Sequence, residues 1–532
     1  MESTWLDRAI TWASPRRGAA RTAARLTQAN LSLQLRAYDG ASQGRRTRGW
    51  LAAGGSAATE TGFALHTLRN RSRDLVRNNE WAASAVESVV ANWIGTGIVP
   101  KFLGADGKTH DVLTDLWRAW GETTECDAAG MHDFSGLQSL AARTCTESGE
   151  VLVVQRFRET SLGNPVNMQL AVLEPDHLDT GRDGLVNNVD GSRLIQGVEY
   201  DKWGTRTAYW LFPVHPGDGL LGGSQSVRVP AGRVRHMFRC DRPGQVRGVP
   251  WLAPAMIKLR GLDEYQDARM MRERIAACFV GFVEDITGVA GGVPNVGLPV
   301  PAAEAVAGET NVRKFEPGLW QPVPAGKKIT FGNPPQVEGY REFVNISLRA
   351  VAAAIGTTYE ELTGDLTQVN FSSGRMGRLA FHRRVDRWQR LVMRPQFNGP
   401  LVGWFRNAAA ASGLIGQEDT THVVEWTPPA RPMIDPTKEV PARIAAIQGG
   451  LISLQETIRE RGRDPDLVLD ELQEDVESAE ARDLSLTSLE GEPAAAPPAQ
   501  PAPQPDDGDP DDGEPEDPDE DPDEESEKNP PG

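Results

Sequence analysis

The feature that most constrains the fold is a helix-patterned run of about thirty residues, which begins near Leu252 after a connector rich in Pro and Gly. Apolar side chains recur in this run at steps of three and four, so they share one face of a helix. They are Leu252, Met256, Leu259, Leu262, Tyr265, Ala268, Met271, Ile275, Cys278 and Phe282. The opposite face carries charged side chains: Lys258, Arg260, Asp263, Glu264, Asp267, Arg269, Arg272, Glu273 and Arg274. At the usual rise per residue the run predicts a helix roughly 45 Å long, which needs packing partners along its whole length.

Length and composition allow several domains and exclude a membrane span. The chain has 532 residues, of which 39% are hydrophobic, and this is enough for real cores. No segment approaches about twenty uninterrupted apolar residues, and the N-terminus lacks the apolar core of a secretory signal. Cys126, Cys145, Cys240 and Cys278 form no CxxC pair, which predicts free, buried thiols in a reducing compartment and neither disulfides nor a zinc site.

The negative charge of the chain is concentrated at its C-terminus. The formal net charge is −18, and the stretch from Gly491 onward, with sixteen Asp or Glu and one Lys, carries −15 of it. The rest of the chain carries only −3. This near balance excludes a strongly basic nucleic-acid binder, and it also excludes a body that strongly repels DNA.

Both ends of the chain differ in composition from the body. Residues 1–60 contain nine Arg and four acids and predict a mobile basic arm. A weakly ordered terminus and an arm that binds DNA or a partner are both open interpretations. Residues 491–532 are rich in Pro, Asp and Glu and predict a disordered tail, because they bury too little apolar surface to offset chain entropy. Two roles for this tail stay open: it keeps the protein soluble or acts as a spacer, or it docks a partner.

Changes of period divide the first half of the body into helical and β-rich parts. Helical spacing predicts helices over 63–94, near 111–122 and over 135–147. From Glu150 the period changes to short β-rich segments bounded by Gly, Pro and Asn, and the DKWGT stretch at 201–205 predicts a hairpin turn. An α+β body therefore occupies roughly 60–250.

The second half is predicted to alternate between helices and polar connectors. Residues 285–340 are rich in Gly and Pro, with a strand-like segment near Phe331, and a second helix follows over 341–355. Thr357 and Thr358, followed by Glu360 and Glu361, form a capping-box pattern before the polar, turn-rich stretch GDLTQVNFSSG. A third long helix starts near Ser373 and must kink or break at Pro395. Short helices follow over 440–487.

Most catalytic patterns are missing from this sequence. GADGKT at 104–109 lacks the first Gly of a phosphate loop, and GTGIVP at 95–100 lacks the third Gly of a dinucleotide fingerprint. The one dense acid and His cluster is LEPDHLD, with Glu174, Asp176, His177 and Asp179. It could hold a cation, but such a string after a strand is more often a loop with capping hydrogen bonds. We therefore expect no catalytic residue, no cofactor and no metal.

A basic run covers residues 374–406, which contain eight Arg and one Asp. Helical spacing places these side chains on two neighbouring faces. Arg375, Arg378 and His382 share one face, and Arg383, Arg387 and Arg390 share the other. This pattern predicts either contacts with nucleic-acid phosphates or ion pairs with acids of an adjacent subunit or of the long helix.

Several strings in this sequence, in this order, are shared with a known family. They are RNRSRDLVRNNEWAASAVESVVANWIGTGI at 69–98, LEPDHLD at 173–179, GVEYDKWG at 197–204, DRPGQVRGVPWLAPAMIKLRGLDEYQDARMMRERIAACF at 241–279, LTGDLTQVNFSSGR at 362–375 and DPTKEVPARIAAIQGGLIS at 435–453. On these strings the chain resembles the lambda-type portal proteins of tailed bacteriophages. The resemblance covers about 60–470 and leaves out the N-terminal arm and the acidic tail.

The resemblance implies the phage portal fold, which is an α+β fold with a wing, a two-helix stem, a clip, a channel loop and a helical crown. By position, the parts are an arm at 1–60, the wing at 61–250, the first stem helix at 251–284, the clip at 285–340, the second stem helix at 341–361, the channel loop at 362–373, a kinked helix returning through the wing at 374–439, the crown at 440–490 and the tail at 491–532. It also implies a ring, usually of twelve subunits, at one capsid vertex, with a channel for double-stranded DNA.

Such a channel has to let DNA move, and this limits its charge. Many Lys and Arg would neutralise many phosphates and bind DNA too tightly through counterion release. We expect weak, sequence-independent contacts between the DNA backbone and one set of loop residues. They are Asp365, Thr367, Gln368, Asn370, Ser372, Ser373, Arg375 and Arg378. On the stem surface we expect a mixed face with Lys258, Arg260, Arg269, Arg272 and Arg274.

The resemblance also implies partners and a location. With no ATP site of its own, the chain needs a separate packaging motor, the large terminase. Further implied partners are the major capsid and scaffold proteins and the head–tail connector, in a virion assembled in the bacterial host cytoplasm. Two rival classes stay open. One is a metal-dependent enzyme acting on nucleic acid, which would use the cluster around Asp176, and the other is a scaffold or adaptor acting through its acidic tail.

Overall fold

In a computed structural model of the protein, the body of the chain begins and ends with helices, and short antiparallel strands lie between them. The residues that the structure describes are 12–16, 19–20, 23–24, 45, 48–49, 52, 54–104, 106–107, 109–158, 165–183, 186–187, 192–218, 225–277, 281–285, 327–331, 339–367, 369–482 and 484. Most of the predicted N-terminal arm, most of the predicted clip and the whole acidic tail lie outside them.

The main elements follow the predicted order. The helices are α1 Ala57–Asn78, α2 Glu80–Trp93, α3 Asp111–Trp120, α4 Phe134–Ser148, α5 Met256–Ala277, α6 Tyr340–Ile355, α7 Tyr359–Thr363, α8 Phe371–Trp388, α9 Gly399–Ala411, α10 Pro436–Gln448, α11 Leu454–Glu460 and α12 Pro465–Glu480. The strands are β1 Val99–Phe102, β2 Glu150–Arg156, β3 Gln169–Leu173, β4 Val186–Asn187, β5 Ser192–Ile195, β6 Val198–Tyr200, β7 Arg206–Leu211, β8 Val227–Pro230, β9 Val234–Phe238, β10 Gly281–Asp285, β11 Lys327–Phe331 and β12 Val424–Thr427.

The helical stretch predicted over 63–94 is two helices, because Asn79 interrupts it. Asn79 has an extended backbone, and its side chain accepts a hydrogen bond from Ala82 N–H at 2.8 Å, so it caps the N-terminus of α2. Both helices bury the faces that their spacing predicts. Leu65 is 3% exposed on α1, and Trp93 is fully buried at the end of α2.

Aromatic side chains fill the larger of two cores. The rings of Trp93 and Trp251 stack with centroids 5.3 Å apart, and Trp388 lies 5.0 Å from Trp251. A second group joins α3 to α9, where Trp120 stacks on Phe405 at 5.0 Å. These contacts bring the first helices, the connector before α5 and the helices after residue 370 into one core.

The strands form small antiparallel sheets. The order β3-β2-β9 makes a three-stranded sheet that packs under α4, and β4-β5-β6-β7-β8 makes a five-stranded meander. The predicted hairpin turn lies between β6 and β7, where Asp201 Oδ1 accepts hydrogen bonds from the Trp203 and Thr205 N–H groups. The smaller core lies at this meander and includes Val198, Tyr209 and Leu211.

A close approach of two glycines brings distant segments together at the end of α4. Gly149 ends that helix with a φ of 92°, a left-handed conformation that favours glycine. A Cβ on Gly248 would lie 2.1 Å from the Gly149 carbonyl oxygen, so no other residue fits there. The contact places Arg247 beside Glu150, the first residue of β2.

Glu150 is the centre of a fully buried charge network. Its carboxylate pairs with Arg247 at 2.6 Å and Arg69 at 2.8 Å, and it accepts hydrogen bonds from His236 Nε2 at 2.8 Å and Gly248 N–H at 2.7 Å. Burial alone would raise the pKa of Glu150, but Arg247, His236 and Arg69 together hold it far below its usual range. The network ties α1, β2, β9 and the connector to one another.

The long amphipathic helix is shorter than predicted. It covers Met256–Ala277, which is 22 residues, or about 33 Å. Residues 251–255 form turns instead, in a stretch where Pro254 supplies no backbone N–H. After residue 280 the chain is a strand, because Gly281–Asp285 pairs antiparallel with Lys327–Phe331.

Only the first half of the predicted apolar stripe is buried within the chain. Leu252, Met256, Leu259 and Leu262 are buried, whereas Met271 is 56% exposed. Tyr265 is half-buried, and Ala268 is exposed. Of the residues predicted further along the stripe, Cys278 lies outside the described residues, and the structure describes only the backbone of Ile275 and Phe282.

The kink predicted at Pro395 takes the form of a π-helical segment. Residues Gln389–Asn398 are wound more widely than an α-helix between α8 and α9, with Pro395 inside. Gln389 Nε2 donates to the Trp93 carbonyl at 2.7 Å, and Gln138 Nε2 donates to Asn398 Oδ1 at 3.1 Å. Buried polar contacts therefore hold both ends of the distorted segment in the core.

The chain divides into two compact units, Met1–Pro465 and Asp466–Gly532. The described part of the second unit is α12 with the few residues that follow it. Among the described residues, no helix is both long and apolar enough to cross a bilayer. Cys126 and Cys145 are buried as predicted, but Cys240 is exposed just after β9, where the chain leaves the sheet.

Candidate nucleic-acid interface

A short helix anchors the base of the predicted channel loop. Thr358 Oγ1 accepts a hydrogen bond from Glu361 N–H at 3.2 Å and caps α7, so of the two predicted threonines Thr358 is the cap. Leu362 is 2% exposed, and its carbonyl accepts a hydrogen bond from Ser84 Oγ of α2 at 2.7 Å. Gly364 ends the helix with a φ of 69°. The loop therefore leaves the body from a fixed point.

Asp365 folds the first half of the loop onto itself. Its carboxylate accepts hydrogen bonds from Thr367 Oγ1 at 2.6 Å, from Thr367 N–H at 3.0 Å and from the Tyr359 hydroxyl at 3.4 Å. These bonds, led by that of the Thr367 hydroxyl, lower the pKa of Asp365, so it is a carboxylate at neutral pH. A negative charge at this turn opposes tight binding of phosphate.

Asn370 leads the second half of the loop into α8. Its side-chain oxygen accepts a hydrogen bond from Ser373 N–H at 2.8 Å, and Ser373 Oγ donates to the Asn370 carbonyl at 3.1 Å. Asn370 is thus the N-cap of α8. Ser372 is exposed, and Gln368 lies outside the described residues. Most of the polar residues predicted to contact DNA therefore fix the conformation of the loop itself.

Two arginines follow the loop on the first turns of α8. Arg375 is exposed and Arg378 is half-buried. Across the described part of the chain no acid forms an ion pair with either of them, and Arg378 Nε is buried without a hydrogen-bond partner. Burial, together with Arg431 and Arg378, lowers the pKa of His382, so this histidine is neutral at pH 7. The start of α8 therefore presents positive charge beside the loop.

A band of arginines continues along α8 and the π-helical segment. Arg383, Arg387 and Arg390 are exposed, and Asp386, the one acid there, pairs with Arg431 at 2.5 Å. Where the structure describes both partners, none of the three pairs with an acid of α5. Contacts of these arginines with phosphate groups or with acids of a neighbouring copy stay predictions.

The predicted stem surface is mixed in charge. Arg260 pairs with Glu264 at 2.9 Å, and Arg269 pairs with Glu273 at 2.9 Å, both along α5. Lys258 and Arg274 are exposed, and Arg272 is half-exposed. A groove of about 1020 Å³ lies along this surface and is lined by residues of both signs. Pairing within the helix weakens the field that these bases offer to DNA.

Apolar side chains are also exposed on the two predicted stem helices. Met270 is 51% and Met271 is 56% exposed on α5, and Ile346 is 66% exposed on α6. The two helices meet through Tyr265, whose ring lies 4.7 Å from that of Phe343. Beyond this contact, Met270 and Met271 lie outside both cores of the described chain.

The acids of LEPDHLD are bound to arginines. Asp176 Oδ2 pairs with Arg73 at 2.5 Å, and Glu174 pairs with the same guanidinium at 2.7 Å. Asp179 accepts a hydrogen bond from Gly181 N–H and pairs with Arg182 at 3.1 Å. Carboxylates held this way are neutralised, which argues against the two-metal chemistry that a nuclease would need there.

The residues that hold the loop base were not among those predicted from the sequence. Ser84 and Ser88 of α2 contact Leu362 and Thr357, and the Ser88 and Thr357 hydroxyls lie 2.9 Å apart. These pairs join distant parts of the chain, so no local pattern marks them. Tyr359 lies inside the predicted capping box, six residues before Asp365, and its hydroxyl contacts that carboxylate.

The sequence was compared with those of known proteins. Residues 43–389 match the family described as phage portal protein, lambda family. The probable portal protein of Halomonas phage phiHAP-1 is 27% identical over 469 residues, which are 83% of this chain and 86% of the relative. The portal protein of Escherichia phage N15 is 23% identical over 79% of this chain and 86% of its own length, and portal protein B of Escherichia phage lambda is 22% identical over 74% and 80%.

Solved structures also resemble the chain, with lower sequence identity than these relatives. The neck of a native gene transfer agent particle, computed with C12 symmetry, aligns with a TM-score of 0.42 and 16% identity over 74% of this chain and 94% of that chain. The neck of the empty particle, computed with C6 symmetry, aligns with the same TM-score and identity over 76% and 94%.

Proposed function

The chain belongs to the lambda family of phage portal proteins, and on this premise we propose that its copies close into a ring at one vertex of a capsid. Double-stranded DNA passes through the ring during packaging and again during ejection. The observation that carries this proposal is the family match over residues 43–389, together with three relatives named as portal proteins. Their role is structural rather than enzymatic.

Exposed apolar surface supports assembly from many copies, which we propose number twelve. Met271 and Ile346 lie on the two proposed stem helices and are more than half exposed in the single chain. In the proposed crown, α10 has no buried residue, and Ile444 on it is 50% exposed. Neighbouring copies in a ring would cover such surfaces, which an isolated chain leaves in water.

The proposed parts follow the predicted boundaries. We propose the wing at 61–250, the two stem helices at 251–284 and 341–361, the clip at 285–340, the channel loop at 362–373, the returning helix at 374–439 and the crown at 440–490. Support comes from the order of elements, since α5 and α6 flank the β10-β11 pair and α7 leads into the loop. The proposed tail at 491–532 lies outside the described residues.

We propose that the loop contacts the DNA backbone only briefly. Asp365 and Thr367 shape the turn, Asn370 and Ser373 cap the helix behind it, and Arg375 and Arg378 offer the positive charge. Few cations per copy, set beside a carboxylate, make contacts that break easily, because each neutralised phosphate adds to the salt-dependent affinity. Such contacts read no base sequence and suit a conduit.

Other proteins must supply the force that moves the DNA and must dock on the ring. We propose a separate ATP-driven packaging motor, the large terminase, together with major capsid and scaffold proteins and the head–tail connector as partners. We propose that the ring assembles in the host cytoplasm and ends in the virion. The missing glycines of GADGKT and GTGIVP support a chain without an ATP site of its own.

Shortening the loop tests the conduit role. Residues 365–369 are replaced by two glycines, and a second variant replaces them with a Gly/Ser segment of unchanged length. Both variants keep Asn370 as the N-cap of α8. We expect the short loop to lower the DNA content of particles while rings still form, as seen by negative-stain microscopy. The second variant keeps the length of the loop and removes its side chains, so comparing the two variants distinguishes an effect of loop length from an effect of side-chain chemistry.

Two results would contradict the proposal. Normal DNA content in particles made with the short loop would exclude the loop as a DNA contact. Single molecules under every assembly condition, with no annulus in micrographs of the unmodified protein, would exclude the ring itself.

A further inference from the structure

Three metal-ligating side chains converge beside α3, away from the loop and the stem. His110 precedes α3, while Asp419 and His422 belong to the 3₁₀ turn Glu418–Thr421 and the residue after it. His422 Nε2 lies 3.0 Å and His110 Nε2 lies 3.3 Å from the same oxygen, Asp419 Oδ1. We propose that this cluster binds a divalent transition-metal ion, Zn²⁺, through His110 Nε2, His422 Nε2 and Asp419 Oδ1.

The distances suit a tetrahedral ion. Zn²⁺ holds nitrogen and oxygen ligands at about 2.0–2.1 Å, which separates neighbouring ligand atoms by roughly 3.4 Å. The two nitrogen–oxygen distances of the cluster are close to this spacing, and all three ligand atoms lie within 4.8 Å of one another. The side chains are 16–20% exposed, so solvent reaches the site and water can supply a fourth ligand.

The charge of the site favours a cation. Burial alone would raise the pKa of Asp419, but hydrogen bonds from His422, Gly416 N–H and His110 hold it below its usual range. The nearby Arg406 donates to the His422 carbonyl. Gly416 N–H donates to Asp419 Oδ2, so both imidazoles share Oδ1. Two imidazoles and one carboxylate select zinc-like ions over Mg²⁺ and Ca²⁺, which prefer ligand sets of oxygen alone.

Metal binding at His110 has a structural consequence. His110 Nδ1 accepts a hydrogen bond from Leu113 N–H at 3.2 Å and caps α3, so its Nε2 carries the proton that points to Asp419. Zn²⁺ on Nε2 takes the place of that proton, which moves through solvent to Nδ1. The cap of Leu113 is then lost, and we expect its amide to exchange faster with solvent when metal is bound.

A second group of similar spacing serves as the matched control. Glu174, Asp176 and His215 also bring their ligand atoms within 4.8 Å of one another. There, however, Arg73 pairs with both carboxylates and Arg69 lies 3.5 Å from Asp176. Because these guanidinium groups already neutralise the acids, we expect no zinc at this second group.

The experiment titrates Zn²⁺ into metal-free full-length protein against a chromogenic chelator and then measures retained zinc. We expect one zinc per chain, with affinity lowered about tenfold or more in His422→Ala and in Asp419→Asn. His110→Asn should also lose zinc while keeping a side chain that caps α3. His215→Ala should bind zinc as the unmodified protein does.

The folding of each variant is checked by circular dichroism, and His110→Asn keeps the test valid if another variant unfolds. Hydrogen exchange of the Leu113 amide with and without Zn²⁺ gives a readout separate from affinity. Failure of the unmodified protein to retain zinc, or equal zinc affinity in His422→Ala, His110→Asn and the unmodified chain, would overturn the proposal. Loss of zinc in His215→Ala alone would assign the metal to the other group and overturn it as well.

Discussion

Replacing Glu150 by Gln should destabilise the protein strongly although the side chain keeps its size. Among the described residues, Glu150 is the one negative charge that contacts Arg247, whose side chain is fully buried, and Gln removes it. The change leaves Arg69 with Asp176 at 3.5 Å. The amide also sets N–H donors against guanidinium groups that are themselves donors. Removing one partner of a buried ion pair costs about 3–5 kcal/mol, because the remaining charge has lost its solvent without replacement.

Urea unfolding followed by tryptophan fluorescence measures this loss. Trp93 and Trp251 stack in the main core and report on its unfolding. With a slope of about 3 kcal/mol per molar urea, the expected loss of unfolding free energy shifts the midpoint down by about 1 M or more. All variants are compared at one protein concentration, since assembly adds to the apparent stability.

The matched control is Glu87→Gln, which breaks an exposed pair of the same chemical type. Glu87 pairs with Arg143 at 2.9 Å, with side chains 66% and 42% exposed. Surface pairs contribute at most about 1 kcal/mol, so this midpoint should move little. Equal shifts in the two variants, or a shift below about 1 kcal/mol in Glu150→Gln, would refute the argument that burial makes the network essential.

Two other consequences can be measured directly. Burial lowers the pKa of His236 to about 4, and its buried Nδ1 has no hydrogen-bond partner among the described residues. As the pH falls, the unfolded chain therefore binds the extra proton first, at the usual histidine pKa of about 6.5. The free energy of unfolding should keep its full value above about pH 6.5 and fall by about 3 kcal/mol as the pH drops to about 4. Urea midpoints that do not change over that range would contradict this prediction. Met271→Glu should reduce the yield of rings in negative stain, because it places charge on an exposed apolar position of α5. The control Val112→Glu changes a side chain that is 52% exposed on α3, and it should leave the ring yield unchanged. Equal ring yields in the two variants would argue against α5 as a contact between copies.

Local rules in the sequence predicted most helices and strands of the body. The capping-box pattern predicted the N-cap of α7 at Thr357 or Thr358, and Thr358 is the cap. Glycines end α4, α6 and α7 with the left-handed φ that they favour. β-rich segments after Glu150 became strands in the predicted order. These features depend on neighbours within a few residues, so a single sequence contains the information. The family resemblance is of the same kind, since it rests on contiguous strings, and the match over 43–389 confirms it.

Other predictions failed or stayed incomplete because tertiary contacts decided them. Helical spacing continued past residue 280, but pairing with Lys327–Phe331 made Gly281–Asp285 a strand. Asp365 and Asn370 stay predicted DNA contacts. Their side chains also hold the loop backbone through local hydrogen bonds, which the prediction did not include.

By itself, the sequence determined the α+β class, the element order, the uneven distribution of charge and membership of the family, because each is a property of residue type and local spacing. Only the tertiary structure decided which charged groups are buried together and which metal-ligating side chains lie close to one another. Glu150 lies far in sequence from Arg69 and Arg247, and His110 lies far from Asp419 and His422. Contacts of this kind form when folding closes long loops of chain, and no pattern of neighbouring residues records them.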